Sequence, residues 1–236
     1  MKKLLIVLLS CVSVSAFSQT VEEVIQKYST AMGGLEAFNK IKTAKMDGTV
    51  TDLFSTMPLT IELINGKAVK TKLTKDGRDA TRVYNNGEGW KMEGFSSPTD
   101  LSSAELARLK LQSTLANSLM DYKSRGHKVE LMGQEDVKGI NTYKIKLTTK
   151  DDKVTFYFIN MKTGLLSKSA TKLETASAEY DIDFFYSDFR ELNGLTFCFK
   201  IVMNTGSVEA QVTKYTSIQL DVPVDEAIFV KPRQAN

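Results

Sequence analysis

The feature that most constrains this chain is a hydrophobic period of two, sustained over much of its length and punctuated by glycine turns. Leu59, Ile61 and Leu63 alternate with Thr60 and Glu62, and Val69, Thr71 and Leu73 alternate with Lys70 and Lys72. Asn65-Gly66 lies between the two runs. Alternation sends successive side chains to opposite faces of a strand, and Asn-Gly supplies the positive φ that a two-residue hairpin requires. Asp76-Gly77 and Asn86-Gly87 repeat the turn signal, the second just before Trp90. Later stripes are Tyr143/Ile145/Leu147, Val154/Phe156/Phe158, Ile182/Phe184/Tyr186, Phe197/Phe199/Ile201/Met203 and Val208/Ala210/Val212, with turns at Thr163-Gly164 and Asn193-Gly194. Connections this short imply antiparallel pairing of about nine strands.

Two stretches break the pattern with helical spacing. Thr20-Val21-Glu22-Glu23 is a Thr-x-x-Glu capping box, after which Val21, Val24, Ile25, Tyr28 and Met32 share a face until Gly33-Gly34. A further turn, Leu35 to Ile41, carries Leu35 and Phe38. Between the two sets of strands, Ser102-Ser103-Ala104-Glu105 opens a second helix predicted over Thr99 to Tyr122. Ala104, Ala107, Leu111, Leu115, Leu119 and Tyr122 recur there at steps of three and four, with Leu106, Leu109, Ala116 and Met120 widening the face. The expected architecture is α+β, a strongly curved antiparallel sheet (an incomplete barrel) with helices covering its concave side.

Lys2-Lys3 followed by an apolar run and Ala16-Phe17-Ser18 reads as a signal peptide over residues 1–18, leaving 19–236 as one domain. Leu8-Leu9-Ser10-Cys11 offers a competing lipid-attachment reading through Cys11. Removing Lys2 and Lys3 takes the balance from 31 basic against 28 acidic residues to 29 against 28. No basic run remains to mark nucleic-acid binding. Cys198 is then the only cysteine, so no intrachain disulfide is available.

Sizes pose the functional question. About nine strands turning roughly three apolar residues inward offer nearly thirty, whereas two helices cover about sixteen. Either the sheet curls and fills its own interior, or it keeps a cavity for an apolar guest. Catalytic patterns are missing. His127 is the only histidine, which removes Ser-His-Asp, Cys-His and multi-histidine zinc arrangements. Cys198 lacks a general base. Asp181 and Asp183, with Glu179 in line, read as a solvent face opposite Ile182 and Phe184 rather than an acid/base pair. No metal or cofactor is expected.

The order of parts resembles the lipoprotein-localisation carrier superfamily, the LolA/LolB-like fold, in its exported Bacteroidetes-type form. The resemblance runs through Tyr28, Ala31-Met32-Gly33-Gly34, Ile41 and Gly48; Asn86-Gly87-Glu88-Gly89-Trp90; Asn160 to Leu165; Tyr186 to Phe197; and Val222-Pro223-Val224-Asp225 with Phe229 and Pro232. These are turns and strand ends, and none is catalytic. No arginine aligns with the one that links lid to barrel in the carriers.

The resemblance implies a periplasmic, non-enzymatic carrier or sensor. Its partners are lipid or lipoprotein acyl chains and an envelope protein acceptor; it is peripheral to the membrane and takes no nucleic acid. The residues expected to line its cavity and lid are Trp90, Ile61, Leu111, Leu115, Leu119, Phe156, Phe158, Phe184, Phe197 and Phe199. Met57, Met92 and Met120 are placed near the mouth or lid. The alternative is a non-catalytic envelope scaffold with a self-filled core, whose outer face would present Tyr157, Phe185 and Tyr215.

Overall fold

A computed structural model describes residues 19–174 and 178–233. The signal-peptide and Cys11 readings lie outside these residues.

The chain opens with α1 (Val21–Met32) and α2 (Leu35–Lys40) and continues into β1 (Thr43–Asp52), β2 (Thr56–Ile64), β3 (Ala68–Lys75), β4 (Arg78–Asn85), β5 (Glu88–Glu93) and the short β6 (Thr99–Asp100). After α3 (Ser103–Gln112) come β7 (Lys128–Val137), β8 (Ile140–Thr148), β9 (Val154–Asn160), β10 (Leu166–Glu174), β11 (Glu179–Leu192), β12 (Leu195–Thr205) and β13 (Val208–Leu220). A 3-10 turn, Glu226–Phe229, follows. Among the described residues, thirteen strands form one antiparallel sheet in the order β6-β5-β4-β3-β2-β1-β13-β12-β11-β10-β9-β8-β7. It is therefore two meanders joined by β1 against β13, open at β6 and β7.

β7 and β10 are among the strands that alternation alone does not reveal, and the short β6 falls at the start of the stretch read as helix. β7 is an edge strand with Glu130, Gln134, Glu135 and Asp136 exposed. Inward positions of β10 include Ser169 and Thr171, so its stripe is polar on both faces. Ser169 is buried and satisfied by the Tyr186 hydroxyl at 2.9 Å.

The sheet curls around α1, which packs against both β12 and β7 although four strands separate them. Flat, those strands would stand roughly 24 Å apart, about twice a helix diameter. The capping box of α1 forms as read: Thr20 Oγ1 accepts from the Glu23 N–H at 3.2 Å, and Glu23 Oε2 accepts from the Thr20 N–H at 2.8 Å. Gly33 ends the helix at φ 103°, and a Cβ there would lie 2.4 Å from the Gly194 carbonyl oxygen. Glycine therefore allows the left-handed cap and the close approach of α1 to the β11–β12 turn.

The second helix is shorter than its periodicity suggests. α3 stops at Gln112, and residues 113–127 form turns leading to β7. Long-range hydrogen bonds from the β2–β3 turn hold its end: Gly66 N–H donates to the Ser113 carbonyl at 2.8 Å, and Leu115 N–H to Asn65 Oδ1 at 3.0 Å. The buried face also differs. Leu109 is 2% exposed and joins Leu101, Ala44, Leu63, Val69 and Tyr84 in one core, with Leu106 packed against it. Leu111 is 55% exposed, and Ala104 and Ala107 are exposed as well. Gly89 lets α3 sit down, since a Cβ there would meet Leu101 Cδ1 at 2.7 Å and Leu106 Cδ2 at 2.9 Å.

Two measurements check this seating. Leu109→Ala is expected to lower the unfolding free energy by about 2–5 kcal/mol, and Leu111→Ala by less than about 0.5 kcal/mol, in urea denaturation. The Lys91 ammonium, followed by the Ser102 N–H and hydroxyl, lowers the Glu105 pKa from 4.5 to about 2. A depressed carboxyl stabilises the fold fully above its unfolded value and loses that contribution as pH falls through the folded one. The urea midpoint should therefore drop between about pH 4.5 and pH 2, and Glu105→Gln should flatten that part of the profile.

Candidate functional site

Strand register sorts the side chains between the concave face and its reverse. Ala44, Leu63, Val69 and Tyr84 face α3, which places Met46, Gly48, Val50, Met57, Leu59, Ile61 and Leu73 on the same side. Across the seam, Ile145, Tyr157, Ser169, Phe184 and Met203 are partners in successive pairings, and Tyr186 pairs with Ile201. Ile145 and Tyr157 belong to the main core with α1, so this row is concave too.

Helices and the 113–127 connector fill the part of this face nearest α1 and α3. The main core gathers Val24, Ile25, Tyr28, Phe38, Ala116, Leu119, Met120, Ile145, Leu147, Ile159, Phe197 and Phe199. Phe38 meets Phe197 edge-on, with ring centroids 5.5 Å apart. The space beneath α3 is packed by side chains. Toward the opposite rim, where the β1–β2 and β12–β13 turns lie, Met57, Leu73, Phe184, Ile201 and Met203 are half-buried and belong to none of the core clusters. Val50, Leu59 and Ile182 are buried in that same half. This half of the concave face, a trough of the curled sheet, is the part that the clusters around α1 and α3 do not include. Arg82 shares the concave face with Thr71 and Ile61, and its Nη2 donates to Glu93 at 3.0 Å.

The residues predicted for the cavity divide accordingly. Phe184 lies in the trough and Ile61 beside it; Leu119, Phe197 and Phe199 are core, and Leu115 bridges the two cores. Leu111 faces solvent, which removes it from the lining.

Trp90, Phe156 and Phe158 lie on the convex face and are corrected to it. Trp90 packs with Ala68, Val83 and Phe229, its indole N–H donating to the Phe229 carbonyl at 3.3 Å, so it anchors the chain's last turn. Phe158 is 2% exposed because Lys144 and Lys168 lie over its ring at 5.4 and 5.1 Å, and Lys144 also covers Phe156 at 5.0 Å. Lysine stems bury an aromatic on a wet face while the ammonium stays in water. Tyr157 and Tyr215, expected outside, are inside; Phe185 is outside, beneath Lys138 at 3.8 Å. Met57 is concave, Met120 is core, and Met92 is convex in a cleft of about 370 Å³ with Trp90, Lys70 and Lys72. A second cleft, about 500 Å³, runs between α1 and Met120 to Ser124.

The register of β8 was the available signal for this inversion. Its lysines alternate unambiguously, and Ile145 pairs with Tyr157, not with Phe156 or Phe158.

The interior also holds polar tips that periodicity did not single out together. Asn117 Nδ2 donates to the Tyr28 hydroxyl at 2.6 Å. Burial, then Tyr157 and Tyr186, push the Tyr28 hydroxyl far above its ordinary range. Burial carries Tyr186 and Tyr215 to about 12. These phenols stay neutral and offer hydrogen bonds without acid/base chemistry. Asp183 pairs with Lys168 at 2.8 Å on the convex face. His127 is half-buried and shifted down, chiefly by burial and then by Arg125. Among the described residues, no group of three or more His, Cys, Asp or Glu side chains is arranged to hold a metal ion.

No protein-family model matches the chain, and no curated protein sequence matches it. Solved structures do. A LolA superfamily protein from Nitrosomonas europaea matches at 15% identity with a TM-score of 0.58, over 91% of this chain and 99% of that one. A putative outer membrane lipoprotein-sorting protein domain from Vibrio parahaemolyticus matches at 9% identity and 0.57, over 89% and 95%. A DUF1329 family protein from Desulfovibrio piger matches at 11% and 0.53, over 90% and 98%. At these identities the likeness is one of fold.

Burial raises the Cys198 thiol to about 11, and the thiol donates to the Lys200 and Ser187 carbonyls at 3.0 and 3.2 Å. Its alkylation by iodoacetamide at pH 8 is expected to run roughly 100-fold slower than that of an unfolded-chain cysteine, because the thiolate fraction falls tenfold per pKa unit. Labelling as fast as in urea would contradict the half-buried, hydrogen-bonded placement of the thiol.

Proposed function

We propose that this chain is an exported, non-catalytic carrier or sensor that holds an acyl chain of a lipid or lipoprotein in the rim half of its concave face. The observation carrying this reading is the trough of half-buried Met57, Leu73, Phe184, Ile201 and Met203, which the protein's own helices leave uncovered. Methionines suit a guest of variable shape, since unbranched thioethers repack easily. At ~0.8 kcal/mol per CH₂ transferred, one long chain supplies roughly 10 kcal/mol before ordering costs. Arg82 and Thr71, beside the trough, offer donors to an ester or acidic head. Release then requires an acceptor in the envelope that takes over the apolar surface. The likeness to a protein described as sorting outer membrane lipoproteins supports the same reading, as does the leader-like start of the chain.

The packed space beneath α3 favours a second reading, a scaffold with a self-filled core. One experiment separates them. Gently purified protein, extracted and analysed by mass spectrometry, is expected to yield lipid, and the stripped protein to take up a fluorescent long-chain fatty acid. Phe184→Asp and Met203→Asp should weaken uptake by roughly tenfold or more, about 1.4 kcal/mol, while each variant still unfolds cooperatively. Clean extracts together with no uptake would leave the scaffold reading standing.

A further inference from the structure

We propose that the rim at the open end of the trough docks on the interface of a lipid bilayer, through apolar side chains carried on its turns. Leu53 and Phe54, in the β1–β2 turn, are 68% and 88% exposed. Phe95, after β5, is 95% exposed, and Val208, at the start of β13, is 54% exposed. Sheet order and pairing put all four at one end of the strands. β1 pairs with β13 up to Asp52 and Gln211, and Gly94 N–H donates to the Asp79 carbonyl beside the β3–β4 turn. Counted in strand spacings, Phe95 and Phe54 lie about 15 Å apart along the rim.

The exposure is built into the turns. Asp52 Oδ1 accepts from the Phe54 and Ser55 N–H groups at 2.8 Å each, which fixes the turn with both apolar side chains outward. The Phe95 turn is braced twice: Glu93 N–H donates to Ser96 Oγ at 3.1 Å, and Ser96 N–H donates to the Glu93 carbonyl at 3.1 Å. Ordering these tips before contact lowers the entropic cost of binding.

Charge selects the occupant. Among the acids of these turns, Asp52 is engaged by its own loop, Asp79 by Thr74 and Lys72, and Glu93 by Arg82. Asp76 and Glu209 then balance Lys75 and Arg78. A near-neutral rim with separated aromatic tips suits a zwitterionic bilayer interface, which accepts single aromatic side chains and leaves neighbouring charges in water. A protein partner would need a contiguous patch of about 800 Å², whereas here a charged turn interrupts the apolar tips. No helix among the described residues is long and apolar enough to cross a membrane.

The test is flotation of the purified protein with phosphatidylcholine vesicles at low and high salt. Wild type is expected to float with the vesicles at both, and Phe54→Asp/Phe95→Asp to float at least tenfold less while unfolding at the same urea midpoint. Phe54→Trp should show a blue-shifted emission on the same vesicles. Leu111→Asp, which removes an exposed leucine far from the rim, should float normally, as should Phe184→Asp, so the result stands apart from acyl-chain uptake. The proposal is overturned if wild type does not float, if the double variant floats equally, if Leu111→Asp also fails to float, or if binding needs anionic lipid and vanishes with salt. A dimer that the double variant dissolves, without vesicle binding, would assign the rim to a second copy of the chain instead.

Discussion

The connection between the sheet's two edges governs the rest of the molecule. The chain leaves the sheet at β6, on one edge, and re-enters at β7, on the other. Laid flat, thirteen strands would put those edges roughly 58 Å apart. The intervening residues supply a ten-residue helix, about 15 Å long, and a connector that turns back on itself. Arg125 Nη2 reaches Thr114 Oγ1 at 3.1 Å and the Ala116 carbonyl at 3.3 Å within that connector. A strap this compact fits only a sheet that curls, and curling defines an inside. The strap then occupies part of that inside, and the trough is what it leaves bare.

Strand parity was legible wherever one face carried lysines. β3 and β8 alternate cleanly, and their inward rows are as read. β9 is apolar at four successive positions, Phe156 to Ile159, with Val154 nearby, so its own sequence fits either face. Its neighbours decide the matter through register, and they bring Tyr157 inside. Lysines from β8 and β10 then shelter the displaced phenylalanines. A buried aromatic on a convex face is thus a product of cross-strand pairing, which no single stripe reveals.

The end of α3 was hidden for a related reason. From Ala104 to Tyr122 the helical spacing is continuous, and no glycine or proline interrupts it. Asn65 does, from some fifty positions away, by binding Leu115 N–H through its carbonyl oxygen while its amide donates to the Phe38 and Ile41 carbonyls at 2.9 Å each. The residue that marks a hairpin in the sequence also ties α2, the β2–β3 turn and the strap together. Once the helix breaks there, the leucines beyond it turn inward on a different axis. Leu119 reaches the main core, and Leu111 is stranded in water.

The pairing of β1 with β13 has a bearing on how the molecule comes to exist. Ala44 meets Leu220, so the middle of the sheet joins the first strand made to the last. Neither meander alone can curl into the complete wall, because the row that fastens them is supplied only after the other twelve strands. Contacts of such wide sequence separation form slowly. A sheet built this way stays unfinished until β13 has emerged, and its walls curl together only at that moment.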